Sequence, residues 1–238
     1  MMISRLETLN VSKRYDHLQA LDNVNIGVLS GRIVSIVGVN GAGKTTLLKI
    51  LAGLDTMNEG KILVDGREAS QEELRACSTM VFQKSIMFSG SVYDNVAYGL
   101  RVQHVQSGKL RERVLSALRI VNLENFEKRK ANKLSSGEQQ RVAIARALVI
   151  ERDVLLIDEP TANLDPTNAT IIEQGIKEAA NSRILLLSTH NLSQARRLSE
   201  RIVHLHKGCI IEENDTSSFF ANPRDERTKF FLDGELNF

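Results

Sequence analysis

The chain has only two cysteines in 238 residues, Cys77 and Cys209, far apart and without C-x-x-C spacing. That argues against a disulfide framework or a zinc site and fits a reducing compartment. Long apolar runs are missing too: those present, such as Ile184 to Leu187, are strand-length, far below the about 20 residues a membrane helix needs. Met1 to Leu6 carry no extended apolar stretch, so no secretory signal is expected. Nor is there a strong excess of either charge. A formal net charge of +2, without a clustered basic stripe, argues against a nucleic-acid partner. Internal repeats, low-complexity stretches and a guanine-reading N-K-x-D sequence are all lacking. What remains is a chain long enough for a well-buried core, whose membrane role, if it has one, must come through a partner.

Periodicity supplies the organisation. Residues 4 to 30 alternate polar and apolar positions around Tyr15 and a turn-like Asp22-Asn23, which predicts antiparallel strands. Arg32 to Val37 is a near-continuous apolar strand, and Thr45 to Ala52 has helical spacing. A strand over Lys61 to Val64 and a short helix over Gln71 to Arg75 follow. From about Phe88 the pattern turns helical, with helices at Val92 to Leu100, Leu110 to Val121 and a third starting near Ser136. Then α/β alternation resumes: strands at Val154 to Asp158, Ile184 to Ser188 and Ile202 to His206, helices at Asn168 to Ala180 and Leu192 to Leu198. The expectation is an α/β fold whose parallel sheet is interrupted in sequence by a helical lobe. Residues 1–238 read as one unit, with a core over about 1–87 and 150–238 and the lobe over about 88–149.

Between the strand ending at Val37 and the next helix lies Gly38-Val39-Asn40-Gly41-Ala42-Gly43-Lys44-Thr45. Glycines at 38, 41 and 43 let the backbone of this loop, Asn40 and Ala42 included, aim several N–H groups at one anion, and the helix adds its positive end. Lys44 is placed to reach β- and γ-phosphates, Thr45 to ligate Mg²⁺ through its hydroxyl, and Thr46 to support the α-phosphate. The strand Val154 to Ile157 delivers Asp158 and Glu159 to the edge where open α/β sheets bind ligands. Asp158 suits a water-mediated hold on Mg²⁺, and Glu159 can polarise a water for in-line attack on a γ-phosphate. Ser135-Ser136-Gly137-Glu138 has capping-box spacing and opens a helix whose first turn offers N–H donors.

Leu134 to Arg141, with its Ser135-Ser136-Gly137-Glu138 core, resembles the signature of the ATP-binding cassette (ABC) ATPases, and the likeness extends from Tyr15 to about His206. It departs slightly from the commonest form, with Ser136 for glycine and Glu138 for glutamine. The resemblance implies an ABC core of the P-loop NTPase type, an N-terminal antiparallel β subdomain and an inserted helical subdomain. It also assigns residues that by themselves carry little signal. Tyr15, otherwise as readily a core aromatic, matches the loop that stacks on adenine. Gln83 matches the loop glutamine that touches Mg²⁺ and relays between lobes. Asp165, in Ala162-Asn163-Leu164-Asp165, matches the dimer-contact loop, where Asn163 replaces the family's usual small residue. His190 matches the switch histidine at the γ-phosphate. His17, His104, His204 and His206 match no motif.

In the family the signature of one subunit completes the ATP site of another, which implies a partner cassette, most simply a second copy of this chain. The resemblance further implies ATP and Mg²⁺, ATP hydrolysis, an integral membrane permease, an extracytoplasmic solute-binding protein acting through it, and a cytoplasmic position on the inner membrane face. Lys84 to Leu100 resembles the permease-facing region of importers for small oxyanions such as tungstate, and Asp225 to Thr228, Phe231 and Gly234-Glu235-Leu236 point the same way. An exporter subunit with a separate membrane chain and a soluble cassette acting on ribosomes or DNA are the alternatives. Five of the eight phenylalanines, Phe219, Phe220, Phe230, Phe231 and Phe238, crowd the last 20 residues. They predict a C-terminal helix packed on the core, or else a dimer contact.

Overall fold

The computed structural model describes residues 2–162 and 164–234; the readings placed on Asn163, Glu235, Leu236 and Phe238 lie outside the described residues. In chain order the elements are β1 (Arg5–Tyr15), β2 (Leu18–Leu29), β3 (Arg32–Val37), α1 (Lys44–Leu51), β4 (Glu59–Val64), β5 (Arg67–Glu68), α2 (Gln71–Cys77), β6 (Ser78–Val81), α3 (Val92–Val102), α4 (Ser107–Ile120), α5 (Ser136–Leu148), β7 (Val154–Asp158), α6 (Pro166–Ala180), β8 (Ile184–Thr189), α7 (Leu192–Leu198), β9 (Arg201–His206), β10 (Cys209–Asp215), α8 (Thr216–Ala221) and α9 (Glu226–Leu232). They fall into two units: described residues of 1–80, 153–159 and 180–238 in the first, 81–152 and 160–179 in the second.

The first unit holds two sheets. One is antiparallel, in the order β2-β1-β4-β5. Its hairpin turn is at Asp16-His17, not at Asp22-Asn23 as the polar pair suggested. Asp16 takes the left-handed conformation (φ 47°), which Asp tolerates better than most residues. Asp22-Asn23 instead forms a bulge inside β2: Val11 pairs with Val24 but Lys13 with Leu21, so β2 spends one extra residue there. Asn23, at φ 50°, donates its amide to the Ser12 hydroxyl at 3.0 Å. The other sheet has the order β10-β9-β3-β8-β7-β6. Strands β9, β3, β8 and β7 are parallel neighbours, and β7 and β8 are buried throughout, which is why they read as unbroken apolar runs. Val37 pairs with Thr189 and Asp158 with Ser188. The carboxyl ends of β3, β7 and β8 therefore share one edge, where the loops after them gather.

On the same sheet the C-terminal segment forms β10, which pairs with β9, and two short helices that pack phenylalanines on the core, as composition predicted. Phe219 and Phe231 are buried with Val37, Ala195 and Ile202, whereas Phe230 stays exposed. Between them lies His204, fully buried, its ring stacked on Phe231 at 4.4 Å and edge-on to Phe219 at 6.4 Å. Its Nδ1 shares a hydrogen bond with the Thr228 hydroxyl at 3.0 Å, and Nε2 has no partner among the described residues. Burial, with neighbouring His206 and Arg227, pushes its pKa down to about 4 against the opposing pull of Asp225 and Glu212. An unfolded chain would take up this proton near pH 6.5, so the contribution of His204 to stability is complete above about pH 6.5 and declines as pH falls towards 4. The loss is expected to reach about 3 kcal/mol at most. Urea midpoints of the wild type and His204→Phe between pH 7.5 and 4.5 should diverge, the variant falling less; parallel curves would exonerate His204.

The second unit is helical. Alternating faces of α3, α4 and α5 bury Val92, Val96, Leu100, Val114, Leu118, Val142 and Ile144. Two arginines tie helix ends together. Arg141 of α5 donates to the carbonyls of Val121 and Asn122 just past α4, at 3.0 and 3.1 Å, and Arg113 of α4 donates to Val149 past α5 at 2.8 Å. Each cation thus meets the negative end of the neighbouring helix, whose last carbonyls have no intrahelical donor. No helix among the described residues is long and apolar enough to cross a membrane.

Candidate functional site

The sequence-predicted residues divide between the two units. Tyr15, Gly38 to Thr46, Asp158, Glu159 and His190 belong to the first; Gln83, Ser135 to Glu138 and Asp165 belong to the second.

In the first unit, Gly38 leaves β3 at φ 152°, and a Cβ there would lie 2.2 Å from the Leu205 carbonyl oxygen. Gly43 stands at the N-cap of α1 in a left-handed conformation, φ 107°, with no side chain capping the helix. Its missing Cβ would sit 2.5 Å from the Ala20 carbonyl oxygen. Both positions therefore require glycine. Between them the loop rises to an exposed tip at Asn40 and Gly41, while Ala42 is buried. Lys44, only 6% exposed, donates to the carbonyls of Gly38 at 2.7 Å and Val39 at 3.1 Å. Burial pulls its ammonium below the ordinary lysine value, against the opposing attraction of Glu159 and Asp158.

Across the sheet edge, the Thr45 hydroxyl donates to Asp158 Oδ2 at 2.8 Å, and the Ser188 hydroxyl donates to Oδ1 of the same carboxylate. Glu159 is 7% exposed and adopts φ 46°, a conformation that costs a glutamate energy and turns its side chain off the strand line. Its amide is held by the Ser188 carbonyl at 3.0 Å. One carboxylate oxygen lies 3.6 Å from Lys44 Nζ; the other lies 2.8 Å from His190 Nδ1 and accepts the His190 amide at 3.3 Å. The structure thus brings Lys44, Glu159 and His190 into one chain of contacts. Ser188 was not anticipated; its only signal is a hydroxyl at the end of an apolar strand, one residue before Thr189-His190.

The donor set fits nucleotide phosphates and a hard cation. An uncapped helix start and a buried lysine suit phosphate oxygens, and a hydroxyl beside a carboxylate suits Mg²⁺. Among the described residues no cluster of three or more His, Cys, Asp and Glu could hold a metal by itself, in keeping with a cation whose shell phosphates would complete.

Tyr15 ends β1 and is 40% exposed. Its hydroxyl bonds to Asp55, and Thr46 on α1 hydrogen-bonds the same phenol oxygen. A partly exposed aromatic with an anchored hydroxyl differs from a core aromatic.

In the second unit, both halves of the expected capping box are present: the Ser135 hydroxyl accepts the Glu138 amide at 3.3 Å, and Glu138 Oε2 accepts the Ser135 amide at 2.7 Å. The box engages those two amides, while those of Ser136 and Gly137 belong to the first turn, which has no intrahelical acceptor. A Cβ on Gly137 would lie 2.9 Å from the Asn168 side chain, which donates to Asp165. Asn168, unmarked by any motif, thereby links Gly137 to Asp165. Gln83 lines a cavity with Lys84, Ser85, Ser136, Gln139 and Gln140, so the loop glutamine and the signature share a surface.

Comparison with known proteins places the chain in a family. The "ABC transporter" family model matches residues 21–162. A phosphate import ATP-binding protein, PstB 2 of Natronomonas pharaonis, is 41% identical over 97% of this chain and 87% of its own. The tungstate uptake system ATP-binding protein TupC of Peptoclostridium acidaminophilum is 40% identical over 85% of this chain and 95% of its own. Among solved structures, CbiO1 of Clostridium perfringens, part of the ABC transporter complex CbiONQ, superposes with a TM-score of 0.84 at 28% identity, covering 92% of each chain. A family match over more than half of the residues, joined to relatives alike along nearly the full length, means that this chain belongs to the ABC transporter family, as an ATP-binding ATPase.

Proposed function

We propose that the chain powers an importer of small oxyanions such as tungstate by hydrolysing ATP on the inner face of the membrane. The observation that carries the substrate class is the pair of relatives named for phosphate import and tungstate uptake, which match 97% and 85% of the chain. An apolar patch on the second unit supports docking to a permease. Ile86, Phe88 and Tyr98 are exposed, Phe88 packs on Tyr98 at 4.8 Å, and the buried Asn95 holds the Phe88 amide and carbonyl at 2.8 and 3.1 Å. A rigidly held aromatic suits a contact surface better than a mobile one.

In this reading the whole chain works as one cassette. Gly38, Asn40, Gly41, Ala42 and Gly43 present backbone N–H groups to the phosphates, Lys44 exchanges loop carbonyls for phosphate oxygens, and Thr46 supports the α-phosphate. Thr45, Asp158 and Gln83 would hold Mg²⁺, which supplies charge neutralisation to the phosphates. Glu159 accepts the proton of the attacking water at a carboxylate oxygen. His190, 2.8 Å from Glu159, keeps that carboxylate oriented and faces the γ-phosphate. Tyr15 stacks on adenine. Ser135, Ser136, Gly137, Glu138 and Asp165 act on the nucleotide of a second copy, so that ATP closes a homodimer and hydrolysis reopens it. A solute-binding protein delivers the anion to the permease from the other side.

The experiment is reconstitution of the chain with its co-purifying permease in liposomes. ATP hydrolysis should rise several-fold when a binding protein loaded with tungstate is added outside, and less with phosphate or sulfate. Stimulation without any binding protein would indicate export, and failure to retain a permease would indicate a soluble cassette.

A further inference from the structure

The loop after α1 carries a carboxylate that the phosphate site does not use. Asp55, 40 residues from Tyr15, accepts the Tyr15 hydroxyl, and its Oδ1 accepts Lys13 Nζ at 2.7 Å. The same ammonium donates to the Thr56 carbonyl at 2.6 Å and stands 4.7 Å from the centroid of the Tyr15 ring. Lys13 is only 7% exposed, rare for a lysine, and its charge is answered by Asp55. Although burial works the other way, hydrogen bonds from Lys13, Tyr15 and the Thr56 amide hold the Asp55 carboxyl below its ordinary range.

These contacts hold the hydroxyl and one face of the ring. The Asp55 bond sets the direction of the hydroxyl, and the ammonium covers one face at cation–π distance. A planar ligand can then stack only on the other face. The ring is ordered before the ligand arrives, so binding does not have to immobilise it. We propose that Lys13 and Asp55 are positioning residues for nucleotide recognition, clamping Tyr15 with one face covered so that the base is received on the other. The inference rests on the reading of Tyr15 as the base platform. A cluster that merely tied β1 to the loop after α1 would hold the fold together and affect base and phosphates alike.

The test compares ATP with inorganic tripolyphosphate, which has phosphates and no base, on the purified full-length chain. Asp55→Asn and Lys13→Met are each expected to raise the KM for ATP roughly three- to tenfold, while kcat and the inhibition constant of tripolyphosphate stay within about twofold. Lys13→Arg should restore most of the affinity, because a guanidinium keeps both charge and ring contact. Tyr15→Ala separates the two claims. If it leaves the KM for ATP unchanged, Tyr15 is not the platform and the clamp has no purpose. If it raises the KM while neither Asp55→Asn nor Lys13→Met does, the platform stands and the clamp is overturned. Parallel weakening of tripolyphosphate and ATP in the clamp variants would likewise overturn it, in favour of a purely structural cluster.

Discussion

Glu159→Gln is expected to bind ATP about as well as the wild type and to hydrolyse it roughly a hundred- to ten-thousandfold more slowly, the usual contribution of a general base. The substitution keeps the shape of the side chain and can keep the hydrogen bond with His190, now 2.8 Å away, but removes the carboxylate that takes the proton. It also removes the negative partner of Lys44, 3.6 Å from Glu159. Lys44 is buried and its ammonium is already disfavoured by that burial, so the nucleotide's own phosphates become its chief counter-charge. That change favours retention of ATP. ATP-bound pairs of chains should accumulate and be visible by light scattering, because the step that reopens them is blocked. Turnover within threefold of the wild type would remove Glu159 from the role of base.

Gly43→Ala should abolish nucleotide binding and destabilise the fold by about 2–6 kcal/mol, combining backbone strain with overpacking. The new Cβ would stand 2.5 Å from the Ala20 carbonyl oxygen and 2.9 Å from Leu21 Cδ2, at φ 107°. The carbonyl belongs to β2, paired with β1, and cannot retreat without moving the hairpin. Gly41→Ala is the control. It also has a positive φ, 80°, but nothing lies within 4 Å of the added carbon, so a penalty of about 1 kcal/mol is expected. Urea denaturation and ATP titration of both variants measure the contrast. Equal stability of the two would show that the crowding around Gly43 relaxes at little cost.

Much of the site is legible along the chain because its parts are local. The loop Gly38 to Thr45 is bracketed by its own strand and helix. The box Ser135/Glu138 needs three residues' separation and nothing else, and both of its hydrogen bonds are present. Apolar runs such as Val154 to Ile157 announce buried parallel strands. The misplaced turn shows the limit: Asp22-Asn23 has the residue types of a turn, but β1 pairs straight through it, and the left-handed residue it supplies makes a bulge. Pairing outweighed local preference, because a ladder of hydrogen bonds constrains the chain more than one polar dipeptide does.

Local order along the chain therefore determined the phosphate loop, the acidic pair, the capped helix and the succession of strands and helices, since each depends on neighbours within a few residues. Only the tertiary structure decided which side chains answer one another. Parallel pairing of β3, β7 and β8 brings Lys44, Glu159 and His190 into contact, the C-terminal helices seal His204, and a loop carboxylate 40 residues away pins Tyr15. Such contacts join residues of large sequence separation, and their energy depends on burial and geometry that no single segment carries.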